Sequence, residues 1–235
     1  MGISIIVPTL NEAELIQPFL EHLRERAAEA EIIVADASSS DCTAKLAVPL
    51  ADRVVQAKPG RAMQMNVGAS AARGDVLWFV HVDSEVPHGS LNEIARILED
   101  QNVVGGYFRI RLPQNSIYRF TDSFAHYAGI VLRIRCGDHG IFCRRSVFLE
   151  LGGFPEVPLM EDVEFFRRLH RQGHVVYSDK RIAVSPRRYK AIGPVRLTFA
   201  YGFIATLYFF GVPLSKLASL YGRICCKAPQ PDLVG

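Results

Sequence analysis

Short apolar runs that alternate with helix-like segments are the feature of this 235-residue chain that most constrains its fold. The runs at residues 3–7, 31–35, 53–56 and 76–82 are rich in β-branched residues and show no regular polar–apolar alternation. Such runs are typical of strands that are buried on both faces, and the segments between them, such as 61–73, have helical spacing. The pattern predicts an α/β fold with a mostly parallel sheet flanked by helices.

The second half of the chain is less regular, although it contains no internal repeat and no flexible linker. The predicted elements are an antiparallel or edge strand at 103–111, amphipathic helices at 116–133 and 161–171, and two short strands at 175–177 and 181–184. We therefore expect one domain over residues 1–190, followed by an apolar helical appendage over residues 191–235.

Composition excludes several classes of protein. Hydrophobic residues make up 49% of the chain and charged residues 22%, which is ordinary for a globular protein and excludes a disordered chain. The five cysteines include no CxxC pair, which disfavours a disulfide framework or a zinc ribbon and favours a reducing compartment. The first apolar run lacks the basic flank and the cleavage site of a signal peptide. A cytoplasmic location is expected.

The C-terminal region is both apolar and basic. Residues 197–214 are eighteen positions without a charge, but Gly211 and Pro213 interrupt them. About 16 helical residues remain, or roughly 24 Å, which falls short of a hydrocarbon core of roughly 30 Å. Residues 180–235 contain nine basic residues and one acid, whereas the rest of the chain has a net charge of −5. We expect an in-plane helix, peripheral on the inner face of the cell membrane, and no nucleic-acid partner; a core helix or a homodimer interface is the alternative.

Polar residues cluster at the ends of the predicted elements. They are Pro8 and Thr9 after the first strand, Asp36 after the second, Asp83 after the fourth, and Glu161 and Asp162 at the start of the late helix. Each alone is explained by turn or helix-dipole preferences. Together they favour a ligand site, because ligands bind at the carboxyl ends of parallel strands. The cations of Lys58 and Arg61 and the flexible Gly60 then favour a nucleotide diphosphate with a divalent cation, Mn²⁺ or Mg²⁺.

Five segments, at residues 4–12, 34–41, 60–68, 79–84 and 152–162, resemble in order the family-2 glycosyltransferases of the GT-A fold. The resemblance covers about residues 1–190. It implies a Rossmann-like GT-A domain and an inverting enzyme, of hexosyltransferase type, that passes a sugar from a nucleotide-diphospho-sugar to an acceptor hydroxyl. A UDP-sugar donor is expected, and the acceptor is expected to lie near a membrane.

The resemblance also implies roles for single residues. Nucleotide-sugar binding is implied for Pro8, Thr9, Glu12, Asp36, Arg61, Asn66 and His81, metal binding for Asp83, catalysis for Glu161 and for Asp162 as general base, and acceptor contacts for Asp138 and His139. The family's DxD metal motif is a variant here, His81-Val82-Asp83, which leaves one carboxylate for the cation. His81 could instead simply pack beside the sheet. Arg187 and Arg188 could close over the diphosphate or form a solvated turn.

Two other functions are alternatives to sugar transfer. A nucleotide-sugar-binding protein without transferase activity would explain the altered metal motif, but it would not need Asp162. A nucleotidyltransferase could use a similar sheet, but no Gly-rich loop follows the first predicted strand. The predicted sites therefore favour the glycosyltransferase.

Overall fold

A central sheet of eight strands organises the part of the chain that the computed structural model describes, residues 1–111, 137–185 and 187–225. The strands are β1 (Ile3–Thr9), β2 (Glu31–Asp36), β3 (Arg53–Gln56), β4 (Val76–Phe79), β5 (Ser84–Glu85), β6 (Val103–Arg111), β7 (Phe142–Arg144) and β8 (His174–Val184). They lie side by side in the order β3-β2-β1-β4-β7-β6-β8-β5.

The first four strands form a parallel half-sheet in which β1, β2 and β4 are buried and β3, at the edge, is partly exposed. Their connections are the helices α1 (Ala13–Arg26), α2 (Thr43–Ala47) and α3 (Arg61–Ala71). Neighbouring residues of β1 point to opposite faces, so that Ile5 joins the core beneath α1 and Ile6 the core beneath α3. This arrangement explains the continuous apolar runs, and it confirms the predicted α/β fold with its mostly parallel sheet.

The second half of the sheet is mixed. Strand β7 is antiparallel to β4 and to β6, whereas β6 is parallel to β8. Of the two expectations for 103–111, antiparallel pairing is confirmed with β7, whereas an edge position is wrong because β8 covers the outer side of β6. The two short strands expected near the end of the domain are one strand, β8. The fourth predicted strand was too long, since β4 ends at Phe79 and the chain turns before β5.

Within residues 84–111 and 137–185, three helices and one short turn accompany this mixed half. They are α4 (Ser90–Ile97), α5 (Arg145–Glu150), α6 (Glu161–Gln172) and a 3₁₀ turn over Gly137–His139. Helix α6 agrees with the helix predicted at 161–171. The helix predicted at 116–133 lies outside the described residues.

Three helices follow the sheet: α7 (Arg187–Ile192), α8 (Pro194–Phe209) and α9 (Leu214–Cys225). Their apolar side chains pack on Leu159, Met160 and Val163, at the start of α6. Helix α8 has the expected 16 residues. Across the described ranges, no helix combines the length and the apolar character needed to cross a membrane. A domain boundary at residue 190 stays a prediction.

Candidate functional site

The ends of β1 and β2 meet because the two strands are parallel neighbours, with Thr9 opposite Asp36. The Thr9 hydroxyl donates to Oδ1 of Asp36 at 3.1 Å. The same carboxylate accepts from the backbone N–H of Ser39 at 2.8 Å and from its hydroxyl at 2.5 Å. Asp36 is 1% exposed, and its side chain therefore holds the loop after β2 against β1. Pro8 is buried in β1 opposite Ala35.

Gln64 in α3 connects the same two strand ends, although it was not among the predicted site residues. Its buried amide donates to the carbonyl oxygens of Thr9 at 2.7 Å and of Ala35 at 3.3 Å. Its place one turn after Gly60 was the available signal, because that turn faces the ends of the strands. Gln64 thus fixes α3, and with it Arg61, relative to the edge of the sheet.

A charged cluster lies where the loop after β1 meets the segment after β8. Nη2 of Arg187 lies 3.3 Å from Oε1 of Glu12. Burial raises the pKa of Glu12, as do the nearby carboxylates of Asp83 and Asp41, whereas Arg187 lowers it. Asp83 therefore lies within electrostatic reach of Glu12, so the structure brings these two predicted site residues together. The side chain of Arg188 is outside the described part of the chain.

The N-termini of α3 and α6 face each other on the other side of this edge. Nη1 of Arg61 lies 3.8 Å from Oε1 of Glu161. Oδ2 of Asp162 accepts the backbone N–H of Gly137 at 2.5 Å, and Oδ1 accepts that of Val163 at 2.7 Å. Two N–H donors thus fix the plane of the buried Asp162 carboxylate.

The pKa of Asp162 is raised to about 7, mainly by burial and also by the Glu161 carboxylate, whereas Arg61 and the two N–H donors lower it. The Arg61 guanidinium lies in the same surroundings. Burial lowers its pKa, but Glu161, Asp162 and Asp138 raise it above its ordinary value. The site therefore combines a permanent cation with a carboxylate that exchanges its proton near neutral pH.

His81 packs against the 3₁₀ turn. A Cβ atom on Gly137 would lie 2.4 Å from Nε2 of His81, so only glycine leaves room for the ring. Burial lowers the pKa of His81, Asp138 raises it and Arg61 lowers it. The imidazole thus shapes the turn that carries the Gly137 N–H, in agreement with the packing alternative.

The side chains of Asn66 and His139 contact backbone groups. The Asn66 amide donates to the Phe154 carbonyl at 2.9 Å and accepts the Phe154 N–H at 2.8 Å, which holds the turn before α6. Nδ1 of His139 lies 3.0 Å from the Phe108 carbonyl oxygen. Asp138 is exposed within the 3₁₀ turn. Cys136, which precedes it, is outside the described residues.

Left-handed backbone marks the same region. Among the described non-glycine residues, Asn11, Ser38 and Met160 have positive φ, at 52°, 57° and 65°. Asn11 and Ser38 lie in the loops after β1 and β2, and Met160 precedes Glu161. Strained backbone of this kind persists where neighbouring contacts over-determine it, which is common at functional sites.

The residues present fit a divalent cation only in part. In the described ranges, no group of three or more His, Cys, Asp or Glu residues is arranged to hold a metal ion. Asp83 supplies one half-exposed carboxylate, and Nε2 of His81 is pressed against Gly137. A single carboxylate suits Mg²⁺ or Mn²⁺ that is bound mainly by substrate phosphates.

The last two helices of the described chain also contact this region. The Tyr208 hydroxyl in α8 accepts from Nη1 of Arg167 at 2.6 Å and donates to Glu164, so α8 is bonded to α6. Tyr221 in α9 is near enough to Arg61 to contribute to its raised pKa.

Comparison with known proteins gives consistent results. The sequence model described as Glycosyl transferase family 2 matches residues 4–149. The Uncharacterized protein MT1568 of Mycobacterium tuberculosis (strain CDC 1551 / Oshkosh) is 26% identical over 218 residues, which cover 80% of this chain and 67% of that protein.

Several solved structures share the fold at low identity. The mannosyltransferase PcManGT from Pyrobaculum calidifontis, in complex with GDP-Man and Mn²⁺, has a TM-score of 0.68 at 20% identity and covers 96% of this chain and 69% of its own. S. aureus TarS 1-349 with UDP-GlcNAc has a TM-score of 0.62 at 20% identity, over 78% of this chain and 58% of its own. Glucosyl-3-phosphoglycerate synthase from Mycobacterium tuberculosis, with Mn²⁺ and UDP-Glc, has a TM-score of 0.57 at 17% identity, over 78% of this chain and 70% of its own.

Proposed function

The chain belongs to glycosyl transferase family 2, and from this premise we propose that it transfers a sugar, with inversion, from a nucleotide-diphospho-sugar to an acceptor hydroxyl. The structural neighbours support a nucleotide-sugar donor, since they were solved with GDP-Man, UDP-GlcNAc or UDP-Glc. Two of these three donors are uridine nucleotides, which favours a UDP-sugar here. The protein acts at the inner face of the cell membrane as a peripheral enzyme.

The environment of Asp162 is the observation that carries this proposal. An acceptor hydroxyl must lose its proton as it attacks the anomeric carbon, and a general base works best when its pKa lies near the working pH. Asp162 has a raised pKa because it is buried, and the Gly137 N–H fixes its orientation. Attack from the side opposite the leaving diphosphate inverts the anomeric centre in a single displacement.

Other residues of the site act on the leaving group and the nucleotide. Arg61 is a cation at every physiological pH and would stabilise the charge that collects on the departing diphosphate. Asp83, in the HxD variant of the metal motif, would hold a divalent cation, which when bound neutralises phosphate charge. The nucleotide is assigned to the pocket edge formed by Pro8, Thr9, Glu12 and Asp36.

The remaining predicted residues shape the site rather than touch the donor. Asn66 holds the turn before α6 through Phe154, and His81 holds the turn that carries Gly137. Glu161 pairs with Arg61 and keeps the guanidinium beside Asp162. Asp138, which is exposed near His81, is assigned to the acceptor side.

A donor screen tests this function directly. Hydrolysis and transfer from UDP-, GDP- and TDP-sugars are measured with and without Mn²⁺, with Asp162→Asn as the matched control. We expect turnover with one nucleotide class in the wild-type protein and a loss of turnover in the variant. Tight donor binding without turnover in the wild-type protein would instead identify a nucleotide-sugar-binding protein.

A further inference from the structure

Helix α8 has two different apolar faces. One face is buried against α6 and α9 and contains Leu197, Ala200, Ile204 and Tyr208. The opposite face is exposed, and its residues are Val195 at 56%, Phe199 at 76%, Phe203 at 50% and, one position past the helix end, Phe210 at 81% exposure. Val195, Phe199 and Phe203 are four residues apart and Phe210 follows seven residues later, spacings that place all four on one helical stripe. A row of exposed phenylalanines on one stripe is characteristic of an interaction surface.

The charge of the C-terminal helices indicates what covers this stripe. From Lys180 to Cys225 the sequence contains no aspartate and no glutamate. Lys190, Arg196, Lys216 and Arg223 are exposed on the three C-terminal helices. A second copy of the chain, placed face to face by a two-fold axis, would bring these cations together without a carboxylate from the same helices to pair with them. A lipid bilayer with anionic headgroups satisfies the apolar and the basic groups together.

We propose that the exposed stripe of α8 docks in the plane of an anionic bilayer, with Phe199, Phe203 and Phe210 inserted among the lipids. The inference deepens the proposed function, in that it names the surface and the lipid chemistry of a membrane-peripheral enzyme. The side of α8 away from the lipid is bonded through Tyr208 to α6, the helix that begins with Glu161 and Asp162. Docking therefore holds the proposed catalytic base at a fixed depth relative to the lipid surface.

Vesicle flotation with the full-length protein tests the surface. The vesicles contain phosphatidylcholine alone or phosphatidylcholine with roughly 30–40% phosphatidylglycerol, an anionic lipid. We expect binding to the anionic vesicles at low salt, weakening as salt is added, and little binding to the neutral vesicles. The variant Phe199→Ser/Phe203→Ser should bind anionic vesicles about a hundredfold more weakly, on the order of tenfold for each phenylalanine withdrawn from lipid.

The control is Leu149→Ser, because Leu149 is 56% exposed in α5 and lies outside the stripe. Unchanged vesicle binding by this control, with an unaltered circular dichroism spectrum for both variants, would support the assignment. Equal vesicle binding by Phe199→Ser/Phe203→Ser and the wild-type protein would overturn it. So would a wild-type dimer in light scattering that this variant converts to a monomer, since a second copy would then cover the stripe. Titration with UDP separates this result from the proposed function, because donor binding does not depend on the stripe.

Discussion

The backbone N–H of Gly137 donates to Oδ2 of Asp162 at 2.5 Å, across 25 residues of sequence. The Cα of Gly137 in turn supports the ring of His81, where no side chain larger than hydrogen fits. These contacts connect the segment after β4 with the start of α6. The orientation of the proposed base therefore depends on residues from three separate parts of the chain.

Removing the basicity of Asp162 should separate chemistry from binding. In Asp162→Asn the side chain keeps its size, so donor affinity should stay within about threefold, while the transfer rate falls by about 10²–10⁴, the usual effect of losing a general base. Calorimetric titration with UDP and a transfer assay measure the two quantities. Glu150→Gln, an exposed change in α5, is the control. Near-normal turnover in Asp162→Asn would place the base elsewhere.

The raised pKa of Asp162 predicts the pH dependence of activity. A base must be deprotonated, so the transfer rate should fall as the pH drops through about 7. An initial-rate profile from pH 5 to 9 measures this limb. An acid limb near 4, the ordinary range of an aspartate, would contradict the assignment of this buried carboxylate as the base.

The same group predicts a pH-dependent stability. Its pKa is 3.8 in an ordinary setting and about 7 in the fold, so the folded state holds the proton more tightly than the unfolded state. The resulting stabilisation is complete below pH 3.8 and is lost as the pH rises through about 7. The melting temperature of Asp162→Asn relative to wild type should therefore be higher at pH 8.5 than at pH 5.5. An unchanged difference would mean that burial of the charge has no cost.

Substitution of Gly137 tests the contact with His81. The new Cβ in Gly137→Ala would lie 2.4 Å from Nε2 of His81, which forces the turn and its N–H away from Asp162. Loss of that donor raises the pKa of Asp162, because the hydrogen bond lowers it, so the acid limb should move to higher pH. The double variant Gly137→Ala/His81→Ala relieves the clash and should move the limb back. A limb that never moves would show that Gly137 does not orient the base.

Asp83 carries the prediction about the cation. Asp83→Ala should abolish the increase in UDP affinity that Mn²⁺ produces, with little change in UDP affinity without metal, because Asp83 is the carboxylate that the HxD motif offers the ion. Titration of UDP in Mn²⁺ and in a chelator gives both affinities. Identical heats for wild type and variant in Mn²⁺ would remove Asp83 from the metal site.

The sequence predicted those strands and helices whose formation depends on residues that are close together in the chain. The runs that became β1, β2 and β4 consist mainly of apolar residues that are buried on both sheet faces, and their pattern alone predicts parallel strands. The interior position of β6 was missed, because its outer partner β8 begins more than sixty residues later and local pattern carries no information about that pairing. Likewise, α8 has apolar residues on every side, so the spacing of these residues could not show which face packs on α6.

The residue types of the candidate site were predictable from the sequence, but the contacts between these residues were not. Asp36, Asp83 and Asp162 were selected because acidic residues follow strands or begin a helix, and the structure places all three on the same edge of the sheet. Gly137 and Gln64 were missed as site residues, because both act through hydrogen bonds to distant residues. Asn66 was selected by resemblance, whereas its observed partner is the Phe154 backbone, 88 residues away.

The ion pair between Arg187 and Glu12 joins positions that are 175 residues apart. During synthesis on a ribosome, Glu12 and the first strands emerge long before Arg187 does. A nascent chain can thus build the parallel half-sheet while the loop after β1 still lacks its cationic partner. The proposed nucleotide pocket acquires its full charge balance only after the residues that follow β8 have been translated, so we expect donor binding to develop late in synthesis.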